Sequence, residues 1–523
     1  MLLRDPPILV LDEPTTGLDA ASEAQVMDGL TELMKGRTTI LITHSMALAR
    51  NADHVIVIEA GRVAQEGTPQ ELLELPGAFR RLAAEQGLVP RRRRAAPPPD
   101  PAVPAMRALL DPDGVAPVLQ RSLGDSGRID DVRVRHVRYR PRQDLVVHYR
   151  AIVDGDRHEA VISAGRDGGL EAYAEDPRHL RIARSVDGRS PAATPLSWDA
   201  HVGALIQWLP LDLGLPLLCV TPDVLARHLA ALGIELDDGP VEPVRISYSP
   251  GRRATLRIGD HVLRGYSDEA AFRRALAGWR IAANGTLGRE PARVESWGDL
   301  FRRRRDRRRP VPAAPRPTTA EFEGALPDLR ATVQLVLDGT SSGSSVQAAH
   351  SAGALLRRIH DLPAQGLDER SAQDTLEATR RAAGVLRAVD PAADNDITVL
   401  LDRLASSVPH GTATVTSHGD FHNGELIRRG GELAVLDVDE LCRAAPARDL
   451  ATYVAYAASR EDADPAAVLD GLLAGYGRRP DALRWYVAAN LLRRAERPFR
   501  ALEEDWPARV EALVAAAARA LED

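Results

Sequence analysis

The sequence predicts an α/β segment at its N-terminus joined to a larger α+β region whose C-terminal half is mostly helical. Three observations predict it. In residues 1–87, apolar strand runs (ILVL at 8–11, TILIT at 39–43, HVIVIE at 54–59) alternate with helical periods near 21–35 and 69–86. That alternation is the mark of parallel strands with crossover helices. From about 319 onward apolar residues recur at helical spacing, as in SVQAAHSAGALLRRIHDL at 345–362. One strand-and-loop island, 412–440, interrupts those helices.

Two Arg/Pro-rich breaks divide the chain. The run Pro90-RRRR-AAPPPDPAVP predicts a solvated linker over 88–106, and Arg302–Pro317 predicts a connector over 301–318. Between them, 107–238 reads as a cap or lobe-like module and 239–300 as a small β-rich lobe; 319–523 forms the helical lobe. A degenerate repeat is visible across the first two. VRHVRYRPRQDLVVHYR at 134–150 parallels VRISYSPGRRATLRI at 244–258, with Tyr139 and Tyr248 each opening a Tyr-x-Pro, 109 residues apart.

Composition bounds the partners. The 523 residues carry 44% hydrophobic and 27% charged side chains, a soluble globular balance. A net charge of −7 argues against a general nucleic-acid binder. Cys219 and Cys442 form neither a metal spacing nor a disulfide framework, which fits a reducing cytoplasm. The most apolar stretch, Gly203–Val220, holds Pro210, Asp212 and Pro216 and reads as buried strand and turn. Lys35 is the only lysine; every other basic side chain is arginine or histidine. Codon bias accounts for its origin, yet it constrains the chemistry.

The first motif set is ILVLDE at 8–13, a buried strand ending in two carboxylates, followed by PTTGLDA and, on the next strand, THS at 43–45. Acids held at a strand's carboxyl end suit magnesium–nucleotide chemistry. DEPTTGLDA, ITHS and HVIVIEAGRVAQEGTP resemble the Walker B, D-loop, H-loop and C-terminal hairpin of ABC transporter ATPases. The resemblance implies an α/β N-terminal fragment, a partial P-loop NTPase. It implies Asp12 as a magnesium-shell ligand, Glu13 as general base, Asp19 as the D-loop residue and His44 as γ-phosphate sensor. It also implies a transporter membrane subunit or a partner ATPase domain as partner, with membrane association through it. No G-x-x-x-x-G-K-[ST] loop and no LSGGQ-type signature occurs, so the triphosphate has no seat here. Met1 begins where the middle of a helix is expected. A late start, a broken fusion or completion by a partner follows as the expectation, and ATP hydrolysis by this part alone is not expected.

The second set is VTSHGDFHNGELI at 415–427 and LAVLDVD at 433–439. An Asp in a tight polar loop, with a second Asp on an apolar strand seventeen positions later, suits phosphoryl transfer. One carboxylate takes the acceptor's proton while the other carries Mg²⁺. The pattern resembles the aminoglycoside phosphotransferase and choline kinase family, over about 240–523, with 107–240 as a maltokinase-like cap. That resemblance implies an α+β protein-kinase-like fold with a mostly helical C-lobe, and an ATP- and Mg²⁺-dependent phosphotransferase acting on a small hydroxylated substrate. Asp420 is then the catalytic base, Asp437 the metal ligand with Asp439 as alternative, and Asp449 a structural anchor. The loop asparagine of the family is here Glu425, a second metal ligand. Its strand lysine is absent; Arg264 takes the role, with Arg252 of the Ser249–Arg253 turn over the phosphates. Glu269 is the only acid near the start of the following helix to pair with Arg264. These departures leave a nucleotide-binding pseudokinase as the alternative.

Overall fold

The structure, a computed structural model, describes residues 7–12, 34, 36–43, 45–59, 62–74, 78–85, 96–165, 169–186, 188–236, 242–287, 318–343, 345–429, 431–460 and 464–522. Glu13, Asp19, His44 and Lys35, the helix expected near 21–35 apart from Met34, the Arg91–Arg94 run and the connector up to 317 lie outside them. The chain divides into two compact units, 1–94 and 95–523.

In the first unit β1 (Ile8–Asp12) pairs in parallel with β2 (Thr38–Ile42), and Asp12 lies opposite Ile42. β3 (Val55–Glu59) and β4 (Arg62–Gly67) form an antiparallel hairpin. Of the short helices α1 (Met46–Ala49), α2 (Pro69–Glu74) and α3 (Ala78–Glu85), α2 and α3 pack on the hairpin and Met46 of α1 clusters with Val57 of β3. Thr68 and Glu71 cap α2 reciprocally: the Thr68 amide donates to Glu71 (3.0 Å) and the Glu71 amide to Thr68 Oγ1 (3.3 Å). Met46, Val57, Leu72 and Phe79 form its small core. One face of the parallel ribbon is open, with Ile8, Val10, Ile40 and Ile42 each more than half exposed. Parallel strands are ordinarily covered on both faces.

The second unit opens with two copies of one module. In the first copy, helices α4 (Met106–Leu110) and α5 (Pro112–Leu123) precede β5 (Ile129–Arg140), β6 (Asp144–Val153) and β7 (Asp156–Gly165). Helices α6 (Gly169–Glu175) and α7 (Pro177–Ser185) then lead to β8 (Leu196–Asp199) and β9 (Ala204–Trp208). The sheet order is β5-β6-β7-β9-β8. In the second copy, α8 (Pro216–Cys219) and α9 (Pro222–Ala231) precede β10 (Val244–Ser249), β11 (Arg253–Ile258) and β12 (His261–Tyr266). Helix α10 (Glu269–Leu287) follows, then the two-residue β13 (Thr318–Thr319), β14 (Phe322–Leu326) and β15 (Ala331–Leu335). The order β10-β11-β12-β15-β14 is the same topology.

The copies agree in detail. Asp100 Oδ2 accepts from the Tyr139 hydroxyl (2.7 Å) and the Arg142 amide (2.7 Å). Asp212 Oδ2 accepts from the Tyr248 hydroxyl (2.7 Å) and the Gly251 amide (2.8 Å). Arg142 and Gly251, each three residues after its tyrosine, share a left-handed backbone (φ 61° and 58°). Each aspartate also closes a turn onto its own i+2 amide, Ala102 or Gly214. The Tyr-x-Pro echo thus marks the hairpin corner of a duplicated fold. It also explains why 96–106, expected as linker, is packed: Asp100, Val103 and Met106 are buried under the first sheet. The second copy starts near Asp212 and takes its last two strands from beyond the connector, so its sheet runs past 319. The copies touch through Glu159, whose carboxylate is reached by Arg245 of the second copy at 2.6 Å while His148 of the first lies 2.7 Å away.

The remainder is mostly helical: α11 (Val346–His360), α12 (Ala372–Val389), α13 (Asp394–Ser406), α14 (Ala447–Arg460), α15 (Pro465–Tyr476), α16 (Leu483–Arg494), α17 (Arg497–Arg500) and α18 (Trp506–Glu522). A Ser371–Asp374 capping box starts α12. Helices α11 and α15 cross where a Cβ on Gly353 would lie 2.1 Å from the Leu472 carbonyl. Two small sheets occupy the island and its flanks. One contains β16 (Thr340–Ser341), β19 (Leu426–Arg429) and β20 (Glu432–Val435) in the order β13-β20-β19-β16; the other contains β17 (Glu369–Arg370), β18 (Val415–Ser417) and β21 (Cys442–Ala444) in the order β17-β21-β18. Among the described residues no helix is long and apolar enough to cross a membrane.

Candidate active site

Strand β18 delivers the loop 418–425. Gly419 bends there with φ 86°, and a Cβ would sit 2.0 Å from the Glu440 carbonyl, so only glycine fits. Asp449, at the start of α14 and fully buried, accepts from the His418 amide (2.7 Å) and the Gly419 amide (3.0 Å). His360 Nε2 lies 3.0 Å from the same carboxylate and its Nδ1 lies 2.8 Å from the Tyr476 hydroxyl. A carboxylate only accepts, so Nε2 carries the proton. Burial pushes the Asp449 carboxyl up, but the His360 hydrogen bond and neighbouring charges outweigh it and bring the group to about 2. Asp449 therefore anchors the loop, as the sequence implied. The His418 ring nitrogens make no hydrogen bond in their buried setting.

Asp420 projects from that loop, its side chain 44% exposed. Arg494 Nη2 lies 3.6 Å from Asp420 Oδ1, and His422 Nε2 lies 3.8 Å from its other oxygen. Tyr456 braces both: His422 stacks on its ring at 3.8 Å, and the Arg494 guanidinium lies 4.8 Å from the ring centre.

Opposite stand Asp437 and Asp439, just past β20 and both buried. They face arginines of the second copy. Arg264 Nη1 is 2.6 Å from Asp437 and 3.2 Å from Asp439; Arg253 Nη1 is 2.9 Å from Asp437. The Tyr266 hydroxyl donates to Asp439 (2.5 Å). Burial would raise Asp437, but Arg264 and Arg253 hold it well below the carboxylate range. Burial and the Asp437 charge push Asp439 up. Burial and Asp437 push Glu425 up to about 8.

Sequence reasoning picked out Asp420, Asp437, Asp439, Glu425 and Arg264, and these lie together. It placed Arg252 over the phosphates, but Arg252 is exposed, and Arg253 beside it points inward. Period-two alternation carried that signal. Arg264 and Tyr266 share a face of β12, and Arg253 pairs directly with Tyr266 across the hairpin. Glu269 is not the partner of Arg264; it pairs with Arg273 (2.8 Å) on the surface, since the fully buried Ala275 occupies the inward face of α10. Asp12 ends β1 in the other unit, exposed.

A β-rich lobe facing a helical lobe, with a loop carboxylate on one side and a buried carboxylate pair on the other, defines a kinase-like phosphotransferase class. Residues 262–486 match the family model described as the phosphotransferase enzyme family, and that part of the chain is a domain of this family. Among solved structures, the macrolide 2'-phosphotransferase MphH of Brachybacterium faecium is 19% identical with a TM-score of 0.35, over 56% of this chain and 97% of that one. A choline/ethanolamine kinase family protein from Mesorhizobium loti is 15% identical with a TM-score of 0.37, over 55% and 89%. The N-terminal part is similar to ABC-type proteins. The beta-(1→2)glucan export ATP-binding/permease protein NdvA of Rhodopseudomonas palustris (strain BisB18) is 51% identical over 94 residues, 18% of this chain. Multidrug resistance protein 4 of Entamoeba histolytica is 49% identical over 85 residues. The chain spans only 16% and 6% of the length of these two relatives.

Proposed function

We propose that the second unit is an ATP-dependent phosphotransferase acting on a hydroxyl of a small molecule. The observation that carries this is the pairing of a half-exposed loop carboxylate, Asp420, with a buried carboxylate pair bridged by two arginines from the opposing lobe. Asp420 accepts the proton of the acceptor hydroxyl. The acceptor oxygen bonds to the γ-phosphorus as the bridging oxygen leaves with its electron pair on ADP. Arg264 and Arg253 turn part of their donor capacity from the carboxylates to the phosphates.

Among the described residues no three acids are gathered as a metal site; Asp437 and Asp439, with Glu425 nearby, are the acids that would have to close on a magnesium ion. Asp437 lies within electrostatic reach of both Glu425 and Asp439, and Asp439 Oδ1 is a buried oxygen with no hydrogen-bond partner. Held by these acids, the ion would supply positive charge against the charge developing on the phosphates.

The test is ATP consumption against a panel of sugars, aminoglycosides and amino alcohols, with Asp420→Asn as control. Acceptor-dependent turnover lost in the variant supports the reading; equal turnover in both overturns it. Tight Mg-ATP binding by calorimetry without transfer points to a nucleotide-binding pseudokinase.

For the first unit we infer a sheet that another polypeptide completes, a transporter subunit or a partner ATPase domain. The open Ile8, Val10, Ile40 and Ile42 face supports it. Amide exchange of β1 and β2 checks this: rapid exchange in the isolated chain is expected, and protection equal to that of α14 speaks against it.

A further inference from the structure

The duplicated module raises the question of what its first copy does. Its sheet lacks the phosphate-facing arginines of the second. Arg264 pairs with Thr255 across the β11–β12 hairpin, and the matching position on β7, opposite Val146, is Ser163. The position matching Arg253, five residues past the corner tyrosine, is Asp144. The first copy is therefore no second nucleotide lobe.

Its strand β5 instead turns a basic face toward α17. Val137 and Tyr139 point into the core, so by alternation His136 and Arg138 share the opposite face. Arg500 of α17 crosses to it: Nη2 donates to His136 Nε2 at 3.0 Å, while Nη1 holds Glu496 at 2.7 Å. The ring of Tyr139 meets Phe499 edge-on, which fixes β5 against α17. Burial, then the charges of Arg500, His148, Arg138 and Arg252, push His136 down to about 3, so it accepts as a neutral ring. Burial and the charges of Arg140, Arg252 and Arg500 lower Arg138, and Asp212 partly offsets them. Arg252 thus lies within electrostatic reach of this cluster, next in sequence to Arg253 on Asp437.

The cluster is short of anions. Asp212 is committed to the Tyr248 hydroxyl and the Gly251 amide, and Glu496 to Arg500. Neither Arg138 nor Arg252 makes a hydrogen bond or ion pair with a carboxylate among the described residues, and Arg138 Nε is buried with no partner. At one end of the cluster Glu496, which holds Arg500, lies together with Asp420 within electrostatic reach of Arg493 on α16; at the other, Arg252 adjoins Arg253, whose guanidinium holds Asp437.

We propose that β5 of the first copy, the β10–β11 corner of the second and α17 together form an acceptor subsite, in which Arg138, Arg252 and Arg500 bind an anionic group, a phosphate monoester or a carboxylate, on the hydroxylated acceptor. The proposal rests on the phosphotransferase reading and names the substrate class of that site. Guanidinium groups suit both anions because their paired N–H donors match two oxygens at once.

Glycerol 3-phosphate, glycerate and glycerol share their hydroxyls and differ in charge. Each is titrated calorimetrically into the full chain saturated with ADP and Mg²⁺. At least one anionic probe is expected to bind ten-fold or more tighter than glycerol without displacing ADP, and the better of the two identifies the anion. Arg138→Gln and the surface variant Arg252→Gln should each remove most of that preference. Equal binding of all three probes, displacement of ADP, or an undiminished preference in Arg252→Gln overturns the proposal. Failure of ADP to bind before any probe is added sinks the phosphotransferase reading instead; the probes are then titrated into the chain alone, where the same comparisons decide the subsite.

Discussion

Arg264 Nη1 lies 2.6 Å from Asp437 Oδ1, both side chains buried, and this contact ties β12 to the segment after β20. Removing one partner of a buried pair leaves an uncompensated charge, costing about 3–5 kcal/mol. Arg264→Met should lower the urea midpoint accordingly and abolish Mg-ATP binding. Arg264→Lys should recover part of the stability and less of the binding, because an ammonium keeps the charge beside the aspartates but lacks the planar guanidinium's further donors for phosphate. Denaturation and calorimetry on the two variants check this.

Gly278 predicts a second effect on the same aspartates. It sits inside α10, and a Cβ there would lie 2.1 Å from the carbonyl oxygen of Val438, between Asp437 and Asp439. Backbone cannot yield as a side chain can. Gly278→Ala should destabilise by roughly 1–3 kcal/mol despite the better helix propensity of alanine. Turnover should fall further than the melting temperature alone explains. Unchanged activity would show that the lobes separate freely at this point.

Asp449 sets a pH dependence. Its folded carboxyl titrates at about 2 against an ordinary 3.8. The depressed value means the folded state binds the proton more weakly. The stabilisation is complete above pH 3.8 and is lost as pH falls through about 2; its size is roughly 2–3 kcal/mol. Asp449→Asn should lose that amount at pH 6 and show a flatter stability profile between pH 4 and 2. It should also slow turnover, since the His418 and Gly419 amides would lose their shared acceptor.

What the sequence made legible follows from the range of the interactions. The carboxylates at 420, 437 and 449 were readable because each sits in a short motif whose chemistry is complete within a few residues. The Tyr-x-Pro echo was readable for the same reason. Its meaning was not: the aspartates that receive Tyr139 and Tyr248 lie 39 and 36 residues upstream, where no local pattern links them. Alternation separates Arg253 from Arg252 only once the hairpin register is known, because the pairing of Arg253 with Tyr266 decides which of the two faces inward. Strands β14 and β15 were assigned to the helical lobe because a long connector separates them from the sheet they complete.

The two tyrosines allow the division of labour between the copies to be measured. Each donates to a carboxylate oxygen that also holds a left-handed hairpin corner. Tyr139→Phe and Tyr248→Phe should each cost about 1–3 kcal/mol, the penalty for leaving a partly desolvated acceptor short of a donor. Their kinetic effects should diverge. The Tyr248 corner positions Arg253, which faces Asp437, so Tyr248→Phe should raise KM for ATP several-fold. The Tyr139 corner extends the strand bearing Arg138 and abuts Phe499, so Tyr139→Phe should leave KM for ATP unchanged and raise KM for the acceptor. Stability losses of similar size with opposite kinetic signatures would separate a nucleotide lobe from an acceptor lobe. If both variants altered KM for ATP alike, the duplication would be architectural only.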